Sequence, residues 1–249
     1  HVGLSMGSGT SVAKEASDIT LIDDSFASIT KAVLWGRSVF LNIQRFILFQ
    51  LTINVVALTI DFIGAIFWGK LPLTVTQLLW VNLIMDTFAA GALASLPPDP
   101  KIMNDKPRNR DHFIVNKAMS IRIFGIGFLF IAILLGVLIY FTFKHEPGDL
   151  STKELTIFFT IFVMLQFWNM FNAKSFASGK SAFHKLFKCY GFILVASVIF
   201  IGQILIVELG GHVFRTTPLS LIEWILIISS TSIVLWIGEI IRLLSKKNN

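Results

Sequence analysis

Inside an otherwise apolar run, Gln77 to Pro98 (QLLWVNLIMDTFAAGALASLPP), stand two residues that do not belong in oil, Asn82 and Asp86. About 20 apolar residues at 1.5 Å each cross a hydrocarbon core of roughly 30 Å. A carboxylate at its centre costs about 2.5–3.5 kcal/mol even on lenient insertion scales, so an ionisable residue there needs a compensating role. The i, i+4 spacing predicts that both side chains share one helical face. An anionic oxygen and an amide oxygen converging in a dry bundle are part of a shell for a hard cation. The competing expectation is a hydrogen-bonded pair that joins helices.

Other polar residues fall inside apolar stretches. Asn54 and Asp61 recur at i, i+7 in the preceding run, on roughly one face, with Asp61 two turns deeper. Asp61 is read either as lining an ion path or neutralising a neighbour, or as a carboxylate at the membrane interface or kept protonated. Gln166 and Asn169, one turn apart, are expected to glue helices together rather than to bind an ion. Glu208, Glu223 and Trp224 fall at interfaces, and Glu239 and Arg242, three apart, form an expected local ion pair.

The elements that must position these residues are apolar. Of 249 residues 54% are hydrophobic, and the mean hydropathy of +0.74 defines an integral membrane protein. Six runs are long enough to span a membrane, at about 46–68, 75–96, 120–143, 155–173, 190–210 and 219–241. Lys31, Arg37, Arg45, Lys101, Lys106, Arg108, Arg110, Lys117, Arg122, Lys174, Lys180, Lys185, Lys188, Arg242, Lys246 and Lys247 flank one side. Only Lys70, Lys144, Lys153 and Arg215 flank the other. Sixteen against four puts both termini in the cytoplasm by the positive-inside rule. The net charge of +6 is thus spent on loops, and no nucleic-acid partner is expected. Cys189 is the single cysteine, which excludes an intrachain disulfide and fits an inert, reduced thiol.

The first 24 residues alone look water-soluble. Residues 2–6 read as a short strand, 11–17 as a brief helix and 18–22 as a second strand, a βαβ-like unit too small to bury its own core. Its Gly7-x-Gly9 lacks the third glycine of a dinucleotide fingerprint and is read as a tight turn. From Ser25, a candidate cap, a helical period runs without proline into the first apolar run. One helix of about 40 residues, roughly 60 Å, is predicted, its first half a stalk outside the membrane or an amphipathic helix on its surface. The chain starts at His1 and is expected to be a piece of something longer.

The run MGSGTSVAKEASDITLIDDSFASITKAVLWGR, continued by QLTINVVAL and QLLWVNLIMDTFAAGALASLPPDP, resembles the C-terminal part of P-type cation-transporting ATPases. The resemblance is to their plasma-membrane-type calcium pumps in particular. It is dense to about residue 113 and mostly topological beyond. It implies that residues 1–24 end a phosphorylation (HAD-like) domain, that 25–45 form a cytoplasmic stalk helix, and that 46–249 are the last six spans. The implied fold is an all-α, six-helix transmembrane bundle with a short α/β remnant at its N-terminus. The family's Asp-Lys-Thr-Gly, Thr-Gly-Glu and Gly-Asp-Gly-x-Asn-Asp motifs are not in this sequence. No catalytic or cofactor-binding residue is therefore expected here, and the chain alone should not hydrolyse ATP.

In related sarcoplasmic-type pumps two calcium ions are held. The positions matching three ligands of the first site look like Ala57, Met85 and Gln166, a methyl, a thioether and a neutral amide. The resemblance therefore implies one Ca2+ per cycle, at the second site, with Asn82 and Asp86 and further ligands from an earlier helix outside this chain. Ca2+ is then the transported ion, while Mg2+ and ATP act through absent parts of the same pump. The expected surroundings are the lipid of a plasma or bacterial inner membrane. Asp61 matches no family ligand. Two other readings remain open at this stage: a pump for Na+, H+ or Mn2+, and a non-catalytic membrane module.

Overall fold

The computed structural model describes residues 2–107, 113–143 and 150–247, without the side chains of 245–247. Arg108, Arg110 and Lys144 of the charge asymmetry lie outside it. The chain divides into two compact units, His1–Leu41 with Pro97–Arg110, and Asn42–Leu96 with Asp111–Asn249.

In the first unit, β1 (Leu4–Met6) and β2 (Ile19–Leu21) pair in parallel around α1 (Ser11–Glu15), Leu4 opposite Ile19. The Gly7-x-Gly9 segment is the tight turn that the sequence predicts. The Gly7 N–H reaches the Leu21 carbonyl at 2.7 Å, and a Cβ on Gly7 would lie 2.9 Å from that oxygen. Helix α2 (Phe26–Trp68) follows, continuous over 43 residues. Just ahead of it the Asp23 carboxylate accepts the Ser25 N–H and the Ser28 hydroxyl. Arg37 ties the segment after Pro97 to α2, donating to the Ile102 carbonyl at 2.9 Å and the Asp105 carbonyl at 2.8 Å.

The second unit holds the rest of α2 and the other passes. The second pass is α3 (Val75–Leu79), a π-helical turn (Trp80–Met85) and α4 (Asp86–Ala94). Then come α5 (Lys117–Thr142), α6 (Thr152–Lys174), α7 (Tyr190–Leu209), the one-turn α8 (Gly211–Phe214), α9 (Leu221–Thr231) and α10 (Ile233–Lys247). Among the described residues, six helical passes are long and apolar enough to cross a membrane. Thr74 with Gln77, Ser151 with Glu154 and Ser220 with Glu223 form capping boxes, which satisfy N–H groups that a bilayer edge leaves exposed.

The final run, predicted as one helix over 219–241, is broken at Ser232. Thr231 and Ser232 bond their hydroxyls back to the Ile227 and Ser229 carbonyls, at 2.6 and 2.7 Å. Such back-bonding competes with the main-chain ladder and bends helices.

Helix α6 is the most enclosed pass, packed by α5, α7, α9 and α10. In lipid there is no hydrophobic drive between helices, so close packing and polar contacts must hold the passes together. Phe171 stands edge-on to Phe192 at 5.1 Å and Phe167 tilts against Phe200 at 5.8 Å, both from α6 to α7. Such ring pairs contribute about 0.5–1.5 kcal/mol each. Asn172 reaches α10, donating to the Val234 carbonyl at 3.0 Å and accepting from Arg242, which also pairs with Glu239 at 2.8 Å as the spacing predicts.

Asn172 fits only because residue 238 is glycine, since a Cβ there would sit 2.2 Å from its Oδ1. Gly238→Ala is therefore expected to lower the thermal midpoint of the detergent-solubilised protein by several degrees, the range of about 1–3 kcal/mol for overpacking. Gly136→Ala, which meets nothing within 4 Å, should leave it unchanged or raise it.

Candidate cation site

The second pass departs from α-geometry where its polar residues lie. The Asp86 N–H bonds to the Val81 carbonyl, five residues back. Turns of this kind interrupt the regular ladder and occur disproportionately at functional sites. Nothing in the apolar pattern signals one, because neighbouring hydrophobic residues read alike at either pitch. The two polar residues differ in exposure. Asp86 is buried, 3% exposed, whereas Asn82 lies exposed on the turn with Leu83 and Ile84.

Both carboxylate oxygens of Asp86 are enclosed and without a hydrogen-bond partner among the described residues. A buried polar group left unmade costs about 1–3 kcal/mol, and more when charged. Within the passes, two further buried side chains share that condition in full among the described residues. Gln166 and Asn169, both 0% exposed on α6, have no hydrogen bond to either amide atom. The expected glue is therefore absent. Residues that do join α6 to its neighbours include Asn172, Trp168, whose indole donates to Thr231 Oγ1 at 3.1 Å, and Lys153, which pairs with Glu223 at 2.8 Å. Ala57 and Met85 are buried and offer no hard oxygen. Among the described residues no three His, Cys, Asp or Glu side chains gather.

Asn54 is half-buried on α2. Asp61 has a structural occupation, its Oδ1 accepting the Leu73 N–H at 3.2 Å. Arg215 works on the same loop, donating to the Pro72 carbonyl at 2.7 Å and the Leu71 carbonyl at 3.4 Å. Burial lowers the Arg215 pKa, and the negative charge of Asp61 opposes that shift. Anion and cation thus hold the 69–74 connection, which orients the entry into α3.

The same end of the second pass is fastened further. Thr76 Oγ1 donates to the Val213 carbonyl and Gln77 Nε2 to the Phe214 carbonyl, each at 2.8 Å. Trp80 Nε1 donates to Gln203 Oε1 of α7 at 3.1 Å. At the other end Asn42 donates to the Ala94 and Leu96 carbonyls, at 3.2 and 3.1 Å, and α4 runs closely along α7. Sequence reasoning missed Trp80, Gln203 and Arg215, because their partners lie more than a hundred residues away.

Six apolar passes, one of them interrupted next to a buried carboxylate without a partner among the described residues, define the chain as a membrane bundle. The family described as "Cation transporting ATPase, C-terminus" matches residues 70–244, and the chain belongs to it. It is 41% identical over 233 residues to plasma membrane calcium-transporting ATPase 4 of Homo sapiens, covering 90% of this chain and 19% of that protein. It is also 41% identical over 232 residues to plasma membrane calcium-transporting ATPase 2 of Oreochromis mossambicus, covering 90% and 21%. To plasma membrane calcium-transporting ATPase 1 of Gallus gallus it is 40% identical over 233 residues, covering 90% and 19%. The chain spans about a fifth of the length of these curated relatives.

Arg215→Ala removes the cation from the loop clamp. Amide exchange at Leu71 and Leu73 is expected to accelerate by roughly tenfold, the weight of one or two lost charge-assisted hydrogen bonds. Exchange in the middle of α6 should not change.

Proposed function

We propose that this chain is the membrane part of an ATP-driven P-type pump that exports Ca2+ from the cytoplasm, one ion per cycle. The observation that carries the reading is the Asp86 carboxylate, enclosed without a partner at the π-turn of a membrane-length pass. Kinship to proteins named calcium-transporting ATPases supplies the cargo. In this reading Asp86 binds the ion directly, and Asn82, on the exposed side of the turn, adds its amide oxygen where segments outside this chain complete the shell. Asn54 on α2 is the further lining residue; Asp61 is left to its loop. ATP and Mg2+ act through cytoplasmic parts of the same pump, with residues 1–24 as the end of the phosphorylation domain. The stalk, 25–45, carries their movement to the bundle, 46–249.

One ion per cycle follows from the buried Ala57, Met85 and Gln166, which lack anionic oxygen. Gln166→Ala in the intact pump should slow transport less than Asp86→Asn, and a stoichiometry of two calcium ions per phosphoenzyme would overturn the single-ion reading. Both termini face the cytoplasm. Cysteines placed at Asn104 and Gly179 should label from the inside and one at Lys70 from the outside, and an inverted pattern would overturn the orientation.

Asp86→Asn removes the charge while keeping the shape. Calcium-dependent phosphorylation by ATP is expected to collapse, whereas phosphorylation from inorganic phosphate, which needs the empty site, should survive. Loss of both reactions would mark a structural residue. Full calcium activation in a well-folded variant would remove Asp86 from the site.

A further inference from the structure

The π-turn leaves a mechanical question. Its hydrogen bonds can revert to the α pattern by sliding one residue along the chain, and one residue of an α-helix is a rotation of about 100°. Such a slide would swing the Asp86 carboxylate out of its enclosed position. Something has to hold the start of the turn.

That start is Trp80, seated against α7. Its indole ring rests on bare backbone, because a Cβ on Gly202 would fall 2.6 Å from the ring. Its N–H is held by Gln203, which is 0% exposed. Gln203 spends only its oxygen, and its Nε2 is buried with no partner among the described residues. An amide half-used in an apolar pass is a poor choice for stability, since an unmade buried donor costs about as much as the bond made returns. Its oxygen is nevertheless the acceptor that the indole needs in a span without water. Thr76 and Gln77, one turn earlier, are fixed to α8, so Trp80 is the last fastened side chain before the irregular turn.

We propose that Gln203 is a positioning residue for the cation site: by accepting the Trp80 indole N–H it fixes where the π-turn begins, and thereby the direction of the Asp86 carboxylate. The inference rests on the reading of Asp86 as a calcium ligand, and its test separates the two.

In the intact pump, Gln203→Leu removes the acceptor and Trp80→Phe removes the donor while keeping a ring. Each is expected to raise the calcium concentration for half-maximal phosphorylation by roughly tenfold, with a much smaller change in maximal level, because a net buried hydrogen bond is worth about that factor. The double variant should shift no further than either single one, since one bond is lost in all three. A residue that merely stabilises the bundle would lower the thermal midpoint and maximal level together and leave the calcium dependence in place. Unchanged calcium dependence in a folded Gln203→Leu or Trp80→Phe pump, or additive shifts in the double variant, overturns the inference. Should Gln203→Leu fail to fold, Trp80→Phe decides alone. Collapse of calcium activation in Asp86→Asn beside an unshifted Gln203→Leu sinks the positioning role and leaves the site. Full activation in Asp86→Asn sinks both.

Discussion

A carboxylate enclosed in a membrane bundle, with no hydrogen-bond partner among the described residues, is held against its own solvation energy, and much of the bundle can be understood as what keeps it there. Asp86 sits at the lower edge of the π-turn. Its helix is fastened before the turn by Thr76, Gln77 and Trp80, and beyond Asp86 by Asn42 acting on the carbonyls that end α4. The turn is anchored to α7 at its first residue, Trp80, and α4 beyond it runs along α7. An irregular turn between two fixed ends is where a helix can yield without the bundle coming apart.

The other polar groups of the passes divide by whether their bonding is complete. Arg215 and Asp61 hold a loop, Asn172, Glu239 and Arg242 hold α10 to α6, and Lys174 donates to the Ala182 and His184 carbonyls at 3.0 Å each. These are structural expenditures at the ends of the bundle. Gln166 and Asn169 lie deeper on α6 and are bonded to nothing described. Together with Asp86 they are, among the described residues, the buried side chains in the passes whose polar atoms are all left unmade.

Much of this architecture is legible in the sequence, for a physical reason: hydrocarbon admits only helices of fixed minimal length, so six apolar runs translate directly into six passes. The long α2 follows from a helical period without proline, and the importance of Asp86 from the cost of its charge. What does not follow is anything that depends on a contact between distant residues or on local pitch. That the turn is π-helical, with Asp86 buried and Asn82 exposed, is something its apolar neighbours cannot announce. That Asp61 accepts the Leu73 N–H is likewise invisible in the sequence, because the bond reaches across the turn after α2. The break at Ser232 was visible as a Ser229-Ser230-Thr231-Ser232 run, but hydropathy alone counts such a run as apolar enough to continue.

The most direct test is a structure of the intact pump in calcium, with anomalous or difference density to mark the ion. The expected result is one calcium between the membrane passes with a carboxylate oxygen of Asp86 at about 2.3–2.6 Å, the coordination distance for this ion. A calcium bound elsewhere in the passes, with the Asp86 carboxylate hydrogen-bonded to protein and not to the ion, would contradict the assignment.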